Sequence, residues 1–337
     1  MQITATKRSE LSTGFATCHR YQVYGLRLAS NIPLPQLQAA IVGQNDGEDD
    51  ISFEYVPNAG GTGLVDSSAE LIKRFPTTLG DDLALYRQAE EVVLRWEGRY
   101  DFSISSDGRT VRCQSMPGQD VAGVRATLYG AILAYVLHVR GTANLHASAV
   151  VTPRGALGFM ADPGTGKSTL AAACAKAGHP LLTDDLLALE ERPEGFIAFP
   201  GFASVSLSTL SLGALFQNHA AKGPAPTGEG KRRLAVDGRW ARFADTPVPL
   251  RGLIVLRRGS ARAPTSMERL PRLEAFRSLL DHTNCMSILS IDLLRRQMKI
   301  LARLANEIPV WDLSFSTGLT RLEGLVEEVL LATESVA

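Results

Sequence analysis

Apolar positions change their period along this chain of 337 residues. Over residues 21–28 they alternate in part, and over 51–56 they alternate cleanly, which predicts half-buried strands. Short runs of the same kind recur at 84–86, 92–96, 101–105 and 110–114. Asp107-Gly108 lies between the last two and reads as a tight hairpin turn. Residues 1–20 are polar and read as a loose leader. Residues 30–37, with Pro33 and Pro35, read as an extended turn, and the acidic stretch 43–50 as a surface loop. The span 21–118 is thus expected to be a smaller, mostly β module.

From 119 to 141 the spacing becomes three and four. Val121, Val124, Leu128, Ile132, Tyr135 and Val139 form one helical stripe, and Gly141 is a natural stop. This helix is expected to connect the β module to a second domain, 142–337. There, strands at 147–152 and 155–160 flank the turn Pro153-Arg154-Gly155, and an Ala-rich helix over 168–177 ends at Gly178. Further strands are expected at 180–183, 196–199, 250–256 and 308–315. Helices are expected around Leu273, Phe276, Leu279 and Leu280, then around Ile291, Leu294, Met298, Leu301 and Leu304, then over 319–331. Arg295, Arg296, Lys299 and Arg303 would form the wet side of the second of these. Residues 216–230, with Lys222, Pro224, Pro226, Gly228 and Gly230, read as a mobile loop. Strands alternating with helices indicate an α/β domain, α+β for the whole chain, and no internal repeat is evident.

Composition narrows the partners. The chain is 45% hydrophobic and 21% charged, with 35 basic and 35 acidic residues, so it has no net charge with which to grip nucleic acid or an anionic membrane broadly. Its four cysteines, Cys18, Cys113, Cys174 and Cys285, form no Cys-x-x-Cys pair, which argues against a zinc site or a disulfide frame and suits a reducing compartment. The start of the chain has no apolar signal core, and the stretch 121–139 contains Arg125 and His138. A soluble cytoplasmic protein is expected, with no nucleic-acid or membrane partner; homo-oligomerisation is left open.

Residues 161–169, Ala-Asp-Pro-Gly-Thr-Gly-Lys-Ser-Thr, carry the chemistry. A strand, a Gly-rich turn and a helix follow in order, the context in which Gly-x-x-x-x-Gly-Lys-Ser/Thr cradles phosphates, although Ala161 stands at the first Gly. Asp162, Pro163, Gly164, Thr165, Gly166, Lys167, Ser168 and Thr169 are the expected nucleotide contacts. Lys167 would reach the β- and γ-phosphates of ATP, and Ser168 would hold Mg²⁺. Asp184 and Asp185 follow the 180–183 strand, which is expected beside the loop strand. One, expected to be Asp185, would help hold the metal beside Ser168, and the other would take the proton of an attacking hydroxyl. His146 precedes the 147–152 strand and is a further catalytic candidate. Lys231, in Lys231-Arg232-Arg233, either belongs to a solvated turn or supplies charge over the transferring group.

These residues together resemble HPr kinase/phosphorylase. His146-Ala147, the hairpin, the phosphate loop and Gly178-His179-Pro180-Leu181-Leu182-Thr183-Asp184-Asp185 carry the likeness, dense over residues 145–189. Tyr24-Gly25-Leu26, Ile32-Pro33-Leu34-Pro35-Gln36-Leu37, Pro200-Gly201-Phe202, Lys231-Arg232-Arg233 and Ile308-Pro309-Val310-Trp311-Asp312-Leu313 resemble a subgroup of HPr-kinase-related proteins, some of which phosphorylate a serine of a precursor peptide in lasso-peptide tailoring. The resemblance implies an HPr-kinase-like P-loop domain, ATP and Mg²⁺ as cofactors, an Asp of the pair as base, and His146 in the active site. It implies a Ser/Thr kinase acting on a peptide or small protein. Arg251-Gly252-Leu253-Ile254 is a poor echo of the segment tied to phosphorylase activity. The alternatives are a small-molecule kinase and a nucleotide-binding regulator without transfer.

Overall fold

In the computed structural model, which describes residues 18–40, 48–57, 63–76, 82–216, 226–227, 230–260, 264–316, 318–319 and 321–334, the alternating first third folds as one eight-stranded sheet. In spatial order its strands are His19–Val23, Leu26–Ser30, Ile51–Val56, Thr110–Ser115, Tyr100–Ser105, Glu91–Trp96, Asp82–Gln88 and Glu70–Pro76. Ile51–Val56 pairs parallel with both neighbours; the other pairs are antiparallel.

The Asp107-Gly108 turn forms as expected. Gly108 takes φ +68°, and Asp107 accepts from Ser105 Oγ at 2.6 Å and from the Arg109 amide at 2.9 Å. The single strand expected over 21–28 is instead two, because Tyr24 and Gly25 both adopt positive φ, 54° and 78°, and reverse the chain in a two-residue turn. The first strand starts at His19, inside the expected leader, of which residues 1–17 lie outside the described residues. Most of the 43–50 and 216–230 loops also lies outside them. Glu70–Pro76 was not expected as a strand: nearly every residue in it is exposed, so no alternation marks it.

The expected helix forms in three pieces, Val121–Thr127, one π turn over Leu128–Ile132, and Leu133–Val139. Asp120 caps its start by accepting from the Gly123 amide at 2.9 Å. Gly141, at φ +87°, ends it with its amide on His138 O. The helix is long and apolar enough to cross a membrane by length and composition, yet Val124, Leu128, Ile132 and Val136 are fully buried here against the sheet. It shares one core with Phe53, Phe102 and Ile104 of the sheet. It is therefore part of the first module rather than only a connection.

The second domain is layered. Ala147–Thr152 and Gly155–Met160 pair antiparallel as expected, and Gly155–Met160 runs parallel to Val248–Arg258, which runs parallel to Val310–Phe315. Successive side chains go to opposite faces, as the pleat requires. Leu157 and Phe159 pack with the helices Lys167–Lys176 and Leu322–Glu334, whereas Ala156 and Met160 pack with Arg272–Asp281 and Ile291–Glu307. Gly195–Phe199, Leu187–Arg192 and Ala143–Leu145 extend this sheet from the start of Val248–Arg258. A small separate sheet joins Ser204–Ser208, Lys231–Ala235 and Pro226–Thr227. On Ile291–Glu307, Leu301 and Leu304 are buried as expected, but Ile291 and Met298 are exposed. Arg303 is no idle surface charge, since it bonds Glu191, Glu307 and the Arg192 carbonyl.

Candidate phosphate-binding site

The strand Gly155–Met160 ends inside the sheet, and the chain turns through residues 161–166 into the helix Lys167–Lys176. Ala161 is buried and keeps an ordinary negative φ, so a glycine is not required there. Gly164 and Gly166 do need their freedom, at φ +82° and +126°. A Cβ on Gly164 would meet nothing within 4 Å, and one on Gly166 would meet only Arg258 Nη2 at 4.0 Å. The space in front of the loop is open. No side chain caps the helix at Gly166, and its first amides have no partner within the helix. That arrangement is an anion cradle. Arg258 braces it by donating to Thr165 O at 3.0 Å.

Lys167 is buried, and its Nζ donates to Ala161 O at 2.9 Å and to His146 Nε2 at 3.0 Å. The opposite edge of the imidazole, Nδ1, faces the Asp185 carbonyl oxygen at 3.1 Å. A carbonyl only accepts, so Nδ1 carries the proton and Nε2 presents a lone pair to the ammonium. Burial and the Lys167 charge hold His146 below the usual imidazole range, in keeping with that neutral tautomer. Burial likewise lowers Lys167, while Asp185 and Asp184 oppose the shift.

The two carboxylates differ. Asp184 is 4% exposed and held on both oxygens, accepting from Ser148 Oγ at 2.6 Å and from the Ser206 amide at 2.8 Å. Ser168 is close enough to pull the Asp184 pKa down as well. Burial and the neighbouring Asp185 charge push Asp184 above the usual carboxylate range, against the pull of those donors. Asp185 sits at φ 78° with its side chain 64% exposed. Asp tolerates that conformation better than most residues. The turn is tied by Thr183 Oγ1, which donates to Leu186 O at 2.7 Å.

The strand Leu181–Thr183 does not lie directly beside the loop strand, as expected, but one strand away, because Ala147–Thr152 lies between them. Ser148 on that intervening strand spans the gap to Asp184. The sequence reading missed Ser148 and Ser206. The first stands out in retrospect as the polar residue in the apolar run 147–151; the second belongs to an alternating strand, Ser204–Ser208, that was not anticipated.

Lys231 lies on a strand, in register with Ser208, near enough for its charge to lower Lys167 slightly. Asp162, Pro163 and Gly164 are exposed at the loop tip, and Thr169 Oγ1 lies 2.9 Å from Ser211 Oγ. A cavity of about 550 Å³ opens beside the loop, reaching Thr165, Gly166 and Thr169 on one wall and Arg258, Phe315 and Leu322 on the other. Among the described residues, no three His, Cys, Asp or Glu side chains are grouped to hold a metal unaided.

No family model matches the chain, and no curated protein matches it. Among solved structures, the HPr(Ser) kinase/phosphatase from Coxiella burnetii is similar over 57% of this chain and 96% of its own, at 15% identity and a TM-score of 0.32. At that score the likeness decides nothing about function.

Proposed function

We propose that this chain is an ATP- and Mg²⁺-dependent kinase that transfers a phosphoryl group to a hydroxyl, as on a serine or threonine of a peptide or small protein, within the cytoplasm. The observation that carries the reading is the convergence of Lys167, Ser168, Asp184 and Asp185 on one open anion cradle. The cavity bounded by Phe315 and Leu322 suits the nucleoside, since it is of ligand size and continuous with the loop.

The residues fit a magnesium ion that takes most of its ligands from phosphates and water. Ser168 and Asp184 would hold it, and it would supply positive charge that offsets the charge of the nucleotide phosphates. Asp184 rather than Asp185 suits this role, because Asp184 is beside Ser168 and already oriented by two donors. Asp185, exposed at the mouth, is the base. It takes the proton as the acceptor oxygen bonds to the γ-phosphorus and the bond to the β–γ bridging oxygen breaks, with ADP leaving. Lys167 exchanges its two present acceptors for the phosphate oxygens, and Lys231 adds positive charge from the adjoining strand.

The test is single-turnover transfer from labelled ATP. Lys167→Ala, Asp184→Asn and Asp185→Asn are each expected to slow it by about 10²-fold or more. Unchanged transfer in all three would remove the mechanism. Tight nucleotide binding with no acceptor labelled under any condition would favour a regulator instead.

A further inference from the structure

Four of the sequence signatures contribute little to holding a nucleotide: Tyr24-Gly25-Leu26, residues 32–37, Pro200-Gly201-Phe202, and the Arg233 end of Lys231-Arg232-Arg233. The fold brings them together beside the carboxylate pair. The Tyr24 amide donates to Pro200 O at 2.9 Å. The Tyr24 ring passes so close to Gly201 that a Cβ there would lie 2.9 Å from Tyr24 Cε1 and 2.1 Å from Thr183 Oγ1. Phe202 packs edge-on against Tyr24 and Tyr129, at 5.7 and 5.2 Å between centroids. Arg233 donates to Gln36 and stands in register with Ser206, whose amide holds Asp184. Arg125 lies one turn before Tyr129 on the same helix face.

This junction holds several unanswered polar groups. The hydroxyls of Tyr24 and Tyr129 and the Nε atoms of Arg125 and Arg233 are all buried without a well-formed hydrogen bond among the described residues; the nearest groups to the two hydroxyls, Thr183 for Tyr24 and the Gln36 backbone for Tyr129, fall short of that geometry. Tyr24 is 2% and Tyr129 5% exposed. Both guanidinium charges act on the Tyr129 hydroxyl. A buried donor without a well-formed bond is costly, and four from three elements (the Tyr24 turn, the helix of Arg125 and Tyr129, and the Arg233 strand) around one ladder of rings indicate a ligand that answers them. Donors from two guanidinium groups and two phenols select an oxyanion. Next to Asp184 and Asp185, a singly charged carboxylate meets less repulsion than a phosphate dianion.

We infer that this junction is the acceptor subsite, binding a carboxylate carried by the molecule whose hydroxyl is phosphorylated. It rests on the transfer reading above and narrows the substrate class. The carboxylate belongs either to an acidic residue beside a serine in a peptide or to a free hydroxy acid. The first module thereby supplies part of the substrate site, through Tyr24, Arg125 and Tyr129.

The experiment has two arms, each run on the full chain with AMP-PNP and Mg²⁺ present. In one, fluorescence anisotropy measures binding of labelled hexapeptides carrying Ala-Asp or Ala-Asn, which cannot be phosphorylated. In the other, calorimetry compares L-serine and D-glycerate with their amides. Acid is expected to bind roughly tenfold or more tightly than amide in one arm, which identifies the source. Arg125→Gln and Arg233→Gln should each abolish that preference, and Arg125→Lys should keep part of it, with AMP-PNP affinity unchanged and a native melting transition retained. Equal binding of acid and amide in both arms, or a preference that survives both glutamine variants, overturns the subsite. Acid selectivity without any label transfer from ATP to the corresponding serine peptide or hydroxy acid would count against the kinase reading and leave the subsite standing.

Discussion

Adjacent aspartates of identical chemistry are held differently here because their surroundings differ. Asp184 is desolvated and bonded on both oxygens, while Asp185 is turned to the mouth by a positive φ. Ser148 is one of the donors that holds the Asp184 carboxyl down against burial. In Ser148→Ala that donor is gone, the Asp184 pKa rises further, and the acid limb of the pH–rate profile moves to higher pH. A profile measured at saturating ATP checks this, and an unmoved limb would mean that Asp184 does not set it. The strand, turn and helix around residues 161–169 were legible because residue types at fixed spacing in one short stretch mark them. Which aspartate is held and which is exposed was not, because that depends on Ser148 and Ser206, which approach from other strands and leave no mark in local spacing.

Among elements, periodicity revealed those with one wet face and one dry face, such as Ile51–Val56 and the helix after Asp120. It missed Glu70–Pro76, which is exposed on both faces, and it ran the first two strands together. The break between those two rests on Gly25. Its φ is +78°, and a Cβ there would come 2.5 Å from the Phe199 ring of the second domain. Gly25→Ala therefore meets both backbone strain and a steric clash, together costing about 1–3 kcal/mol. Thermal denaturation should show a melting point lower by several degrees, and a wild-type value would show that the turn and ring shift freely. The π turn at Leu128–Ile132 was also illegible, since an apolar stripe reads almost alike through α and π turns.

Across the whole molecule, the eight-stranded sheet and the elements after residue 142 share one core, a dependence that no local spacing marks. Leu186, Ala188, Phe199, Phe202, Ile288 and Leu289 belong to the second domain in sequence, yet they are buried in the same core as the first sheet and its helix. Cutting the chain before residue 142 would uncover that apolar face. Residues 142–337 expressed alone are expected to aggregate and to lack a cooperative melt by calorimetry, whereas the full chain should unfold in a single transition. A soluble fragment with its own sharp transition would show the two parts to be autonomous.

Glu70–Pro76 forms the outer border of the eight-stranded sheet and pairs, among the described residues, with Asp82–Gln88 alone. Its free ladder of amides and carbonyls would template growth from molecule to molecule, and the exposed Leu71 and Ile72 would favour it. Lys73, Arg74 and Pro76 blunt that tendency, the cations by mutual repulsion between copies and the proline by withholding a donor. Replacing Lys73 and Arg74 with valine should make light scattering climb more steeply with concentration than for the parent chain, with residues 161–169 untouched.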